Sequence, residues 1–160
     1  MGLLPDPERR ARHHVVISVD DHIIEPPDMF SGRLPAALQD RAPKVVEKPD
    51  GSQTWVYEDK EYPNVGLNAV IGRPKEEWSM EPARFDEMRK GCWDVDARIH
   101  DMDLAGIWAS LNFPSLIAGF ASTVFWKSAD PELGLAVLRA WNDYHLEVWA
   151  AAYPERLIPL

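Results

Sequence analysis

An alternation of strand-length apolar runs with helix-patterned segments constrains this chain more than any other feature. His14-Val15-Val16-Ile17-Ser18-Val19 is a β-branched apolar run stopped by the polar Asp20-Asp21-His22. Such a run suits a strand buried on both faces, as in a parallel sheet. Downstream, Asp94 is an N-cap candidate, Val95, Ile99, Met102 and Ala105 share one helical face, and Gly106 stands just past the end. Ile107-Trp108-Ala109-Ser110-Leu111 follows as a second apolar run, halted at Asn112-Phe113-Pro114. Asp130-Pro131, with Glu132 in the first turn, starts another helix that should run to about residue 152, before Pro154. Its apolar face, Leu133, Val137, Ala140 or Trp141, Tyr144, Val148 and Ala151, would cover a sheet. Leu157-Ile158-Pro159-Leu160 reads as the opening of a third strand. This order predicts an α/β fold in which a strand near 14–20 lies parallel to one near 107–112, with the 95–105 helix crossing between them.

The remainder is irregular. Residues 1–13 read as a flexible leader, and residues 14–160 as one domain with an inserted loop and hairpin region over 28–93. Glu25-Pro26-Pro27-Asp28 must leave regular structure, because two prolines remove two backbone donors. Pro35, Pro43, Pro49, Pro63, Pro74 and Pro82 then admit only short elements. Thr54-Trp55-Val56-Tyr57 and Glu61-Tyr62, separated by polar residues, resemble a small β-hairpin.

Composition narrows the function classes. A net charge of −9 and a pI near 5.0, with no basic cluster, argue against a nucleic-acid partner. Seven Trp are too many large apolar rings for a disordered segment. Cys92 stands alone, so it reads as a packed thiol rather than a redox or zinc residue. The first residues lack the apolar core of a signal peptide, and the 133–153 tract is broken by Arg139, Asp143, His145 and Glu147. Neither a membrane partner nor a membrane span is expected, and the cytoplasm is the default location.

The chemistry concentrates at the end of the first apolar run. Alternate residues of a strand share a face, so Asp20 and His22 should point together with Asp21 turned away. A hard carboxylate and a borderline imidazole at one strand end suit a divalent metal such as Zn²⁺ or Mn²⁺. Judged by spacing alone, an Asp-x-His at the end of a strand is more often an ion pair or a turn cap than a metal site. Asn112 and Phe113, at the end of the second run, are candidate substrate contacts or simple loop caps. Glu25 is a candidate base by residue type only. His100, four residues after Asp96, reads as a surface contact, His145 as a surface or packing residue, and His13 and His14 as the end of the leader. Trp93, Trp108, Trp141 and Trp149 read as core.

Four segments together carry a resemblance. They are Val19-Asp20-Asp21-His22-Ile23-Ile24-Glu25-Pro26-Pro27, Arg98-Ile99-His100-Asp101-Met102-Asp103-Leu104-Ala105-Gly106-Ile107, Asn112-Phe113-Pro114-Ser115 and Tyr153-Pro154-Glu155-Arg156-Leu157-Ile158-Pro159. In this order and spacing they resemble the beginning of the amidohydrolase-related family, which includes the aminocarboxymuconate-semialdehyde and resorcylate-type decarboxylases. The resemblance implies the N-terminal part of a (β/α)₈ TIM barrel, about two βα units plus the insertion, in a barrel that needs about 250 residues to close. It implies one divalent metal, Zn or Mn, held by Asp20 and His22. The carboxylate stands where one variant of the family has a first histidine. The further ligands and the catalytic residues would lie beyond Leu160. The expected parent is a metal-dependent hydrolase or carboxy-lyase acting on a small-molecule substrate, an aromatic or unsaturated carboxylic acid, with a homo-oligomer allowed for the full-length protein. The 160-residue chain alone is expected to be inactive. The competing reading is a non-catalytic small α/β module for binding or oligomerisation, against which the uncovered strand at 157–160 speaks.

Overall fold

The structure is a computed structural model that describes residues 2–78, 82–115, 117–119 and 122–160. Its sheets are two. Strand β1 (Val16–His22) pairs in parallel with β5 (Ile107–Phe113), which pairs in parallel with the short β6 (Leu157–Ile158), in the order β1-β5-β6. Strands β2 (Lys44–Glu47), β3 (Gln53–Tyr57) and β4 (Lys60–Tyr62) form an antiparallel meander in the excursion between β1 and the first long helix.

Helix α1 (Val95–Ala105) begins and ends where its cap chemistry puts it. The Asp94 carboxylate accepts the Ala97 amide at 2.9 Å, and Gly106 takes φ 75°, the left-handed conformation that ends a helix without a Cβ clash. The chain then enters β5 directly, so β1, α1 and β5 form the expected parallel unit. Helix α3 (Pro131–Tyr144) starts in the same way: Asp130 accepts the amides of Glu132 and Leu133 at 3.0 and 3.3 Å, with Pro131 in the first turn.

Three sequence expectations are corrected. First, β1 is not buried on both faces: it lies at the sheet edge, and Val16, Ile17 and Val19 are 47%, 49% and 66% exposed. Second, the apolar face of the last helix shifts after Tyr144. Residues His145–Ala150 form a π-helical turn, whose extra residue moves the buried face onto His145, Trp149 and Ala150 and leaves Val148 and Ala151 outside. Third, the excursion holds more order than one hairpin, since β2 joins β3, and outside it a short helix α2 (Thr123–Trp126) precedes α3. The hairpin turn is Glu58-Asp59, with φ 48° and 60°, the doubly positive geometry that matches strand twist.

An aromatic cluster fastens the excursion to the helical layer. Phe30 meets Trp55 and Phe125 edge-on at 5.8 and 5.9 Å, and Tyr57 meets Phe125 at 5.8 Å. Beside it, Glu58 accepts hydrogen bonds from the Ser128 hydroxyl and the Ala129 and Asp130 amides, so the hairpin tip caps the approach to α3. Among its described residues the leader has no regular element, but Asp6 pairs with Arg89 at 2.7 Å and Arg12 with Asp103 at 2.5 Å. Trp93, Trp141 and Trp149 pack inside or beside the core, whereas Trp108 is 43% exposed under the guanidinium groups of Arg12 and Arg156. Cys92 is buried, and burial raises its thiol pKa, as suits a packed rather than a reactive group.

Where α3 crosses α2 there is no room for a side chain, because a Cβ on Gly134 would run into the carbonyl oxygen of Phe125. Gly134→Ala should therefore destabilise the chain by about 1–3 kcal/mol despite alanine's better helix propensity. Urea unfolding measures this, and a stability equal to or above that of the parent would contradict the packing.

Candidate functional site

The site is built on the ends of β1 and β5. The pairing register slips between Ser18 and Asp21, so three steps along β1 match two along β5. This irregularity interrupts strict alternation: Ser18 and Asp21 are the half-buried residues, whereas Asp20 and His22 are exposed. Asp20 and His22 line one cleft of about 680 Å³ together with Phe113, Pro114, Ser115 and Trp141. Asp21 instead accepts a hydrogen bond from the Ser110 hydroxyl at 2.5 Å.

The His22 ring is oriented by the loop after β5. Its Nδ1 lies 2.9 Å from the Pro114 carbonyl oxygen. A carbonyl only accepts, so Nδ1 carries a proton, and in the neutral ring Nε2 then keeps its lone pair. The backbone there is held too: the Ile23 amide donates to Phe113 O at 3.0 Å, the Ile24 amide to Cys92 O at 2.9 Å, and Arg98 donates to His22 O at 2.6 Å. Phe113 is 37% exposed, with its ring centroid 6.1 Å from that of His22.

Asn112 faces the other way. It is fully buried, donates to the Ser110 hydroxyl and accepts the Trp149 indole N–H, both at 3.0 Å, so it joins β5 to the π-helical turn rather than reaching the cleft. Residues two apart on a strand share a face, which places Asn112 with Ser110 and apart from Phe113.

Glu25, offered by its type alone as a base, is entirely buried behind the cleft. Its Oε1 accepts the Ser115 amide at 2.9 Å and the Trp141 indole N–H at 3.0 Å, and its Oε2 contacts the Ser115 hydroxyl. Burial raises its pKa above the ordinary carboxylate value, with the Ser115 and Trp141 donors pulling the other way. Ser115, Trp141 and the Pro114 carbonyl were not among the residues singled out as ligands or acids. Only the Phe-Pro-Ser tripeptide after an apolar run pointed toward them.

A second cleft of about 700 Å³ lies against α1, is lined by Asp21, and shares His22 and Leu67 with the first. Its charged groups are already paired, Arg89 with Asp6 and Asp101 at 2.7 Å each, and Arg98 with the carbonyls of Gly91 and His22. The Asp20 side of His22 is therefore the better candidate for chemistry. His100 sits on the surface, 3.1 Å from Asp6. His145 is buried and stacked on Trp141 at 5.0 Å, and burial lowers its pKa.

No family profile matches the chain, and no curated protein matches it. A crystal structure of an amidohydrolase from Mycobacterium avium subsp. paratuberculosis K-10 is similar, with a TM-score of 0.63 over 93% of this chain at 22% sequence identity. The fold is amidohydrolase-like. The chain spans 42% of the length of that amidohydrolase. Within this amidohydrolase-like frame, a carboxylate and an imidazole with a lone pair on Nε2 form a donor set that fits Zn²⁺ or Mn²⁺. Among the described residues no group of three or more His, Cys, Asp and Glu side chains could hold a metal ion, so Asp20 and His22 are a pair without a third ligand of these types. Nor, among them, is any helix long and apolar enough to cross a membrane.

The buried acid makes a pH test available. Because the folded chain holds the Glu25 proton more tightly than the unfolded chain, the stability this neutral acid carries is complete below the ordinary pKa of 4.5. It is lost as pH rises through the folded value. Glutamine keeps the shape and cannot ionise. Glu25→Gln should therefore gain on the parent as pH rises, by no more than about 1.4 kcal/mol per pH unit. Urea unfolding of both proteins between about pH 4 and pH 8 reads the difference. A difference that does not change with pH would contradict a raised pKa.

Proposed function

We propose that this chain is the N-terminal part of a metal-dependent enzyme of the amidohydrolase superfamily. In this reading Asp20 and His22 are two of the ligands of one divalent metal, Zn or Mn. The observation that carries it is that both side chains line one cleft, with His22 Nδ1 donating a hydrogen bond to the Pro114 carbonyl. A histidine ligand needs such an acceptor for its other nitrogen, because the partner fixes tautomer and ring orientation. The amidohydrolase-like fold supports the reading, since active sites of barrels form at the C-terminal ends of their strands, where Asp20, His22 and Phe113 stand.

A divalent cation supplies positive charge that either polarises a bond toward hydrolysis or neutralises a carboxylate during decarboxylation. The chain's own residues orient and enclose. Phe113 offers an aromatic edge beside His22, which suits a small aromatic or unsaturated acid, and Trp141 closes the cleft floor. We place the further ligands and the proton-transferring residue in the part of the enzyme outside these 160 residues, given the 42% span. The exposed apolar residues of β1, Val16, Ile17 and Val19, favour additional barrel structure against that strand.

Calorimetry tests the pair. With two protein ligands, the 160-residue chain should bind Zn²⁺ or Mn²⁺ weakly, with a Kd in the range of about 1 μM or above, and show no turnover. The double substitution Asp20→Ala/His22→Ala should abolish that binding. Unchanged affinity in the double variant would overturn the assignment.

A further inference from the structure

Three consecutive residues at the end of β5, Phe113 to Ser115, are each held by the segment that follows Asp21. Phe113 O accepts the Ile23 amide at 3.0 Å, Pro114 O accepts from His22 Nδ1 at 2.9 Å, and the Ser115 amide donates to Glu25 Oε1 at 2.9 Å. The first link is backbone only and would form with many sequences. The other two depend on side chains, and they are adjacent. Glu25 grips Ser115 through both amide and hydroxyl, and its Oε1 also takes the Trp141 indole N–H from α3. The carboxyl thus fixes the peptide after Pro114 against two elements at once. Pro114 contributes rigidity of its own, since its ring restricts φ.

The setting sharpens the point. Glu25 has no exposed surface, and the hydrogen bonds to it come from Ser115 and Trp141, both of which line the cleft that holds Asp20 and His22. A buried carboxyl costs desolvation energy that an apolar residue would not, so packing alone is a poor reason for its presence. Its geometric position is specific: it binds the amide of the peptide bond whose carbonyl, that of Pro114, lies 2.9 Å from His22 Nδ1.

We propose that Glu25 is a positioning residue for His22, acting through Ser115 and the Pro114 carbonyl to hold the ring with Nδ1 protonated and Nε2 presented to the cleft. The proposal rests on the reading of Asp20 and His22 as metal ligands for its purpose, but the ring orientation is measurable without any metal. Glutamine at this position keeps one oxygen for the Ser115 amide and the indole N–H, and its amide can donate to the Ser115 hydroxyl. Alanine leaves all three donors without this acceptor.

The test is the tautomer of His22 in the ¹⁵N-histidine-labelled 160-residue chain, recorded near pH 8, where an ordinary imidazole is neutral. His22→Gln assigns the signal. The parent should show the Nδ1-protonated form. Glu25→Gln should retain it, Glu25→Ala should move His22 toward a mixture or the Nε2-protonated form, and Ser115→Ala, which removes only the hydroxyl link, should give a smaller shift in the same direction. If Glu25→Ala does not fold, as judged by near-ultraviolet circular dichroism, Ser115→Ala carries the comparison with the parent. Zn²⁺ titration of the same samples is the second readout. Affinity should fall about 10- to 100-fold in Glu25→Ala and stay within about threefold of the parent in Glu25→Gln. A folded Glu25→Ala with the parent's tautomer overturns the proposal, as does an unchanged tautomer in Ser115→Ala where it must carry the test. A parent that binds no Zn²⁺ while its tautomer still depends on Glu25 upholds the positioning role and removes the metal reading instead.

Discussion

Parallel pairing of β1 with β5 is the constraint on which the rest depends. Parallel neighbours need a crossover, and here its last part is α1, capped at both ends and feeding β5 with no loop between them. The crossover also brings two strand ends to one place. Asp20 and His22 arrive from one strand and Phe113 to Ser115 from the other, residues some 90 positions apart in sequence that the pairing sets within hydrogen-bond reach. Remove that register and the His22 ring loses its acceptor, Glu25 loses Ser115, and the cleft has no wall.

Polar groups then decide which side of the strands does what. On the covered side, Asp21, Ser110, Asn112 and the Trp149 indole form one chain of hydrogen bonds that is spent on joining sheet to helix. On the cleft side, His22 has one nitrogen bonded and the other holding a lone pair. Glu25 stands between these roles: buried like a structural residue, yet bonded to two residues that line the cleft. Losing its acceptor oxygens would leave buried donors unsatisfied at about 1–3 kcal/mol each. The same carboxyl is thus expected to affect both stability and the geometry of the site.

Local chemistry was what the sequence made legible. Asp94 and Gly106 bound α1, and Asp130-Pro131 starts α3, because caps act within one turn and need no knowledge of the fold. The parallel unit followed from strand-length runs separated by a helix. What escaped depends on contacts distant in sequence. Lys44–Glu47 is too short to declare itself as a strand before β3 is beside it. The π-helical turn at His145–Ala150 trades Val148 for Trp149 in the core, a change that hydrophobic periodicity of the ordinary helix does not encode. Asn112 was read as a substrate contact from its position after an apolar run, and the phase of β5 turns it inward. Glu25 announced only its type; its burial exists only once Ser115 and Trp141 have come together around it. Asp20 and His22 were expected to point together from strict alternation; both line the cleft, on a strand whose register slips between Ser18 and Asp21, which no spacing rule supplies.

In the proposed reading a divalent cation binds in the cleft at the end of β1, rather than anywhere on a surface that carries a net charge of −9. Paramagnetic broadening decides between these. Substoichiometric Mn²⁺ added to the ¹⁵N-labelled chain should first broaden the amide resonances of Asp20, Asp21, His22, Phe113 and Ser115, and leave exposed acidic positions such as Glu132 and Glu155 sharp at the same addition. Broadening that begins at the acidic surface, with residues 20–22 and 113–115 unaffected, would contradict the site and the function built on it.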